Sequence, residues 1–266
     1  MIILRQGDRL PTVALLQSYL NQEPSSAEFL TVDGIFGPRT ATAVRTYRMA
    51  HRLGSGETAD HRVWNGVVGG EWQIIDSVDR SDHDSPVRRR RIEDHGDLAP
   101  YGQTVLEQFG MTAGTGPTVR NVQARARLGQ VVLLRFHGHG SPGNMIIASG
   151  VEGNAASSLH QGYGEGFFQW LQLLRPIFAP LGSVEMHGCR VGRGYAGRSL
   201  LLGMANALGV PVSAGINPQY GGGTATFHFE GPTRTICPND EPLRSWARRV
   251  GSVSEPRPVV RHPTRR

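Results

Sequence analysis

The chain has 266 residues, a length that suits two compact domains better than one, because single cores are commonest near ~100–150 residues. Its 38% hydrophobic content is ordinary for a globular protein and excludes a largely disordered chain. The formal charge of +6 is concentrated in the run Arg88–Arg91 and in the arginines beyond Arg244. A basic balance suits anionic partners such as nucleic acid or wall polymer, but these runs read as solvated, flexible segments, so no nucleic-acid partner is expected.

In chain order, residues 9–21 read as a helix, with Val13, Leu16, Gln17 and Leu20 at helical spacing and Pro11 in the first turn. Asp33-Gly34-Ile35-Phe36-Gly37 is a tight turn. Pro38 opens a second helix to about His51, and a third, around 60–67, carries Trp64. A first strand is expected at Trp72–Asp76, then a charged loop over 77–97. Helices are expected at 99–109 and 118–127. Val131–Phe136 is an apolar run broken only by Arg135, the pattern of a strand buried on both faces. A helix at 165–178, a strand at 184–186, a helix at 196–208 and a strand at 211–214 follow. Phe227–Phe229 and Arg234–Cys237 read as a terminal hairpin, and a basic tail closes the chain. Strands alternating with helices imply a mostly parallel sheet with helices on both faces. The expected plan is a small all-α domain (1–70), an α/β domain (71–240) and a tail (241–266).

Cys189 and Cys237 are the two cysteines, too few for a disulfide framework. The start of the chain lacks the apolar core of a secretory signal, and no apolar run approaches the ~20 residues of a membrane span. The expectation is therefore synthesis in the cytoplasm. Action on a cell wall would require lysis or a dedicated injection machine.

The segments Leu4-Arg5-Gln6-Gly7-Asp8, Val13-x-x-Leu16-Gln17-x-x-Leu20-Asn21 and Val32-Asp33-Gly34-Ile35-Phe36-Gly37-Pro38-x-Thr40-x-x-Ala43-Val44 together resemble the bacterial peptidoglycan-binding domain of the three-helix kind, over residues 3–68. The resemblance implies a module that binds peptidoglycan or, as in phage-like tail machines, a docking protein. Tyr47-Arg48 stands where that family usually has Phe-Gln, and Val63-Trp64 where it has Thr-Trp.

Residues 134–143, Leu-Arg-Phe-His-Gly-His-Gly-Ser-Pro-Gly, run from a buried strand into a glycine-rich loop. Residues 184–192, Val-Glu-Met-His-Gly-Cys-Arg-Val-Gly, repeat that construction. Functional groups in parallel sheets gather beyond the carboxyl ends of strands, and a cysteine nucleophile needs a base or cation nearby. The order strand, His-Gly-x-x-Gly, helix, strand, Gly-Cys-x-x-Gly, helix, strand resembles the caspase-like fold over about residues 72–238. The resemblance implies a cofactor-free cysteine peptidase acting on a peptide or protein. Cys189 would be its nucleophile and His139 its base, with the N–H groups of Gly140 and Cys189 stabilising the oxyanion.

His137, His187 and Asp76 are candidate auxiliaries, and Glu185 reads as a structural carboxylate paired with Arg135. A rival chemistry takes His137, His139, His187 and Cys189 as zinc ligands, because period-two spacing points each pair to one side of its strand. Another reading is an inert or payload domain in a contractile injection particle.

Overall fold

The computed structural model describes residues 2–24, 28–68, 72–79, 103–108, 115–147, 158–160, 165–220 and 227–251. Three helices open the chain: α1 (Pro11–Leu20), α2 (Pro38–Ala50) and α3 (His61–Val68). The strands of the main sheet are β1 (Gln73–Asp79), β2 (Gln103–Gln108), β3 (Val131–His137), β7 (Phe178–His187), β8 (Val212–Gly215) and β9 (Thr233–Ile236). A small antiparallel sheet of β4 (Gly140–Ser141), β5 (Asn144–Ile146) and β6 (Ser158–His160) follows β3. Helices α4 (Gly116–Arg125), α5 (Glu165–Gln172) and α6 (Gly194–Leu208) lie between strands, and α7 (Leu243–Gly251) comes last.

The main sheet is six-stranded, in the order β2-β1-β3-β7-β8-β9. All its pairings are parallel except β8 with β9. The chain is thus an α/β fold built on a mostly parallel mixed sheet. The steps β2→β3, β3→β7 and β7→β8 all move across the sheet in one direction. Right-handed crossovers then put α4, α5 and α6 on the same face. Their apolar residues Val119, Val122, Leu171, Leu200, Leu201 and Met204 pack with Ile75, Leu134, Phe136, Val184, Met186, Val212 and Ala214 in one buried cluster.

The opposite face needs another cover, and the two ends of the described chain supply it. Helices α1 and α7 both pack on β7. Leu133 and Leu181 of the sheet share one buried cluster with Val13, Leu16 and Leu20 of α1 and Trp246 and Ala247 of α7. This explains why α1 is buried nearly all round, with Ala14 and Leu15 covered as well as Val13, Leu16, Gln17 and Leu20. A helix apolar on every side belongs in an interior. The cluster around α1–α3 therefore continues into the sheet.

The structure departs from the expected elements in several places, among them β7, which starts at Phe178 where the expected helix was to end, and the unforeseen β4–β6 sheet. Residues 103–108 form edge strand β2, not a helix, because pairing with β1 along Ile74–Asp79 overrides the local spacing. Ser77–Asp79 extend β1 into the expected loop, whose remainder lies outside the described residues. β9 pairs with β8 rather than with Phe227–Phe229. The start of the expected tail is helix α7, with its apolar residues turned to the core and Arg248 and Arg249 in its last turn. The tail beyond Gly251 lies outside the described residues. No described helix is long and apolar enough to cross a membrane.

Candidate active site

β3 and β7 are neighbours in register, with His137 opposite His187. Both strands end there, and both chains turn at a glycine. Alternation stops with them: His137 is 1% exposed, while His139, two residues on, lies in the open. The two loops touch through their backbones. A Cβ on Gly140 would fall 3.0 Å from the Cys189 nitrogen and 2.5 Å from Val191 Cγ2, and a Cβ on Gly188 would fall 3.3 Å from the Gly140 Cα. Only glycine permits this approach. The His-Gly and Gly-Cys motifs are thus brought together at the carboxyl edge of the sheet.

β4 and β5 fix the first loop. The Ile146 N–H donates to the His139 carbonyl at 2.9 Å, so Gly140 and Met145 form a non-hydrogen-bonded pair and the Gly140 N–H points away from β5. The second loop is held by main-chain bonds from Arg190 to Asn217 and from Gly192 to Gly215. A Cβ on Gly197 would come within 2.3 Å of the Gly192 carbonyl carbon, so α6 seats directly against the cysteine loop. Cys189 is half-buried. Its Sγ lies 3.3 Å from the Gln219 N–H and 3.5 Å from the Gln219 carbonyl oxygen. Gln219 carried no sequence signal, since Asn217-Pro218-Gln219 reads only as a turn.

Beneath these loops the covered face of the sheet carries a buried polar row. Arg135, fully buried, donates to both Asp76 oxygens at 2.7 and 3.2 Å. His137 Nε2 is 2.8 Å from Asp76 Oδ1, and His187 Nε2 is 2.9 Å from Glu185 Oε2. The two imidazole rings lie 5.1 Å apart, and His187 stacks on Phe229 at 4.4 Å. Asp76 is therefore mid-strand in an ion pair rather than at the strand end, and Arg135 pairs with Asp76 rather than Glu185. The auxiliary candidates His137, His187 and Asp76 all lie in this buried row.

The zinc set does not assemble. Two of its histidines are committed to carboxylates, His139 lies beyond the turn, and no three His, Cys, Asp or Glu side chains converge as ligands among the described residues. Cys237 is a different kind of thiol: it is 1% exposed, and burial, then Glu241, pushes its pKa up to about 12.

Compared with family models, with curated proteins and with solved structures, the chain matches none.

The N-terminal motif residues hold one another. Gln17, 2% exposed, accepts from the Asp33 and Gly34 N–H groups and donates to Asp33 Oδ1 and the Ile35 carbonyl, at 2.9–3.0 Å. Phe36 is buried, and Gly37 caps α2 ahead of Pro38. Arg48, at the position where the resembled family has Gln, bonds the carbonyls of Leu53 and Thr58 and pairs with Asp60 at 3.1 Å. The turn itself is covered by α7. A Cβ on Gly34, whose φ is +74°, would lie 3.0 Å from Leu243, and Arg244 reaches Asp33 at 3.4 Å.

Proposed function

We propose that the chain is a caspase-like cysteine hydrolase, an endopeptidase or related amidase, with Cys189 as nucleophile and His139 as base. The observation that carries this reading is the backbone contact between the Gly140 and Cys189 loops at the ends of neighbouring parallel strands. The proposed cycle needs no cofactor. The His139 imidazole takes the Cys189 proton, and the thiolate attacks the scissile carbonyl carbon. The N–H groups of Gly140 and Cys189 hold the resulting oxyanion, a contribution of ~3–4 kcal/mol per donor in related acyl transfers. Collapse breaks the C–N bond, and the imidazolium protonates the leaving amine. Water, deprotonated by His139, then cleaves the thioester to the free acid and restores the thiol.

Peptide-library cleavage, combined with labelling by a thiol-reactive acyl probe, tests the reading. Cys189→Ala should abolish both signals with the melt unchanged. His139→Ala should lower turnover by orders of magnitude, and a His139→Ala variant of full activity overturns the dyad.

The cover of α7 over the Asp33-Gly34 turn favours a second reading for residues 1–70. In it the three-helix module serves as a docking and covering layer of the hydrolase rather than as a free wall-binding domain. This is compatible with a part in a contractile injection particle. Retention of the intact chain on purified sacculi, persisting at high salt, would restore the wall-binding role.

A further inference from the structure

We infer that Gln219 is a positioning residue for the Cys189 sulfur, and this rests on the reading of Cys189 as nucleophile. Gln219 is 8% exposed, and both ends of its side chain are spent on backbone. Its Nε2 donates to the carbonyls of Asn217 at 3.1 Å, Pro218 at 3.0 Å and Glu230 at 3.3 Å. Its Oε1 accepts from the Glu230 N–H at 2.9 Å. The amide thus ties the loop after β8 to residue 230. Gly215 leaves the room for it, since a Cβ there would sit 2.6 Å from Gln219 Nε2.

The consequence falls on the sulfur. With the side chain anchored, the Gln219 main chain is fixed over Cys189, its nitrogen 3.3 Å and its carbonyl oxygen 3.5 Å from Sγ. A thiol can donate to the carbonyl. A thiolate can only accept, and the N–H is then its partner. Donation to an ionised sulfur is the stronger of the two contacts, so the held Gln219 N–H is placed to orient the sulfur once it becomes the attacking thiolate. The same loop bonds Arg190 and Gly192, which ties the nucleophile's own turn to the stitched segment.

The test is the pH profile of iodoacetamide alkylation at Cys189, read by peptide mapping, with buried Cys237 as internal control and a thermal melt on each variant. Gln219→Met keeps the bulk and loses every bond. Gln219→Glu keeps the shape and turns the donor toward carbonyls as an acceptor. Both should slow Cys189 alkylation by on the order of tenfold at neutral pH and change its rate–pH profile. Gly215→Ala, which crowds the amide without touching it chemically, should do the same to a lesser degree and serves if the Gln219 variants do not fold. Variants that melt lower but keep the wild-type profile show a merely structural glutamine and overturn the inference. If wild-type Cys189 alkylates no faster than in the urea-unfolded chain, the nucleophile reading itself fails, and the inference falls with it.

Discussion

The two faces of the main sheet are made by the same strands and solved in opposite ways. On the face under α4–α6, Leu134, Phe136, Val184, Met186, Val212 and Ala214 of β3, β7 and β8 pack in one apolar cluster, and the buried polar residues Gln73, Ser77 and Asp79 alternate with Ile75 on β1. One residue away along each strand, the other face buries Asp76, Arg135, His137, Ser183, Glu185, His187 and Ser213. Transfer from water stabilises the first face. The second is tolerable because its ionisable groups are paired: Arg135 with Asp76, His137 with Asp76, His187 with Glu185. Ser213 likewise meets Thr235 at 2.8 Å. A dry face resists change in proportion to volume lost, whereas a matched polar face fails when one partner goes.

That contrast can be broken most severely at Arg135. Arg135→Met should leave a buried carboxylate without its cation and cost about 3–5 kcal/mol, while Arg135→Met with Asp76→Leu should recover only part of the loss, because His137 also loses its Asp76 partner. Urea unfolding of the two variants decides it, and equal losses would mean the pair is not the stabilising unit. In the layer that covers the polar face, Asp60→Ala should cost about 1–2 kcal/mol, because Asp60 bonds the N–H groups of Arg62 and Val63 at the start of α3 and pairs with Arg48.

Asp60 also gives a pH signature. Burial pushes its carboxyl up, but hydrogen bonds from Arg62 and Arg48 outweigh that and hold it down at about 2. With the folded value below the ordinary 3.8, its contribution is present above about pH 4 and fades as the pH falls toward 2. The stability gap between wild type and Asp60→Ala should close over that window. On the dry face Ile75→Val, one methylene in a full cluster, should cost only about 1 kcal/mol. Smallest of all, Cys189→Ala at the half-buried site should change stability by no more than about 0.5 kcal/mol. A loss several times larger would make Cys189 a packing residue first.

Much of this was legible in the chain where periodicity was strong. α1, α2, β3 and α6 follow from apolar spacing and from Pro11 and Pro38, and the two Gly-flanked strand ends announce loops that the structure brings into contact. Arg135 inside an apolar run was the one visible trace of the polar row. Its partner was not legible, because Asp76 and Glu185 are equally spaced candidates on either neighbour, and strand order alone does not choose between them. β2 was hidden because an edge strand draws its stability from β1 rather than from its own pattern. α7 was hidden by its arginines, although Leu243, Trp246, Ala247 and Val250 form a stripe at helical spacing. Gln219 left no mark, since a side chain that bonds only backbone has no sequence partner to reveal it.

The one-sidedness of the crossovers bears on the order in which the molecule can be made. The dry face can close as soon as residues through β8 have left the ribosome, because its helices lie between its strands. The polar face cannot: its cover comes from α1 at one end of the described chain and α7 at the other, joined through the Asp33–Arg244 and Gly34–Leu243 contacts. Such distant contacts form late, since loop closure precedes their reward. Folding should therefore finish with the burial of the ionic row, and a nascent chain stalled before α7 should hold a formed sheet beside an open charged face, a state for chaperones to recognise.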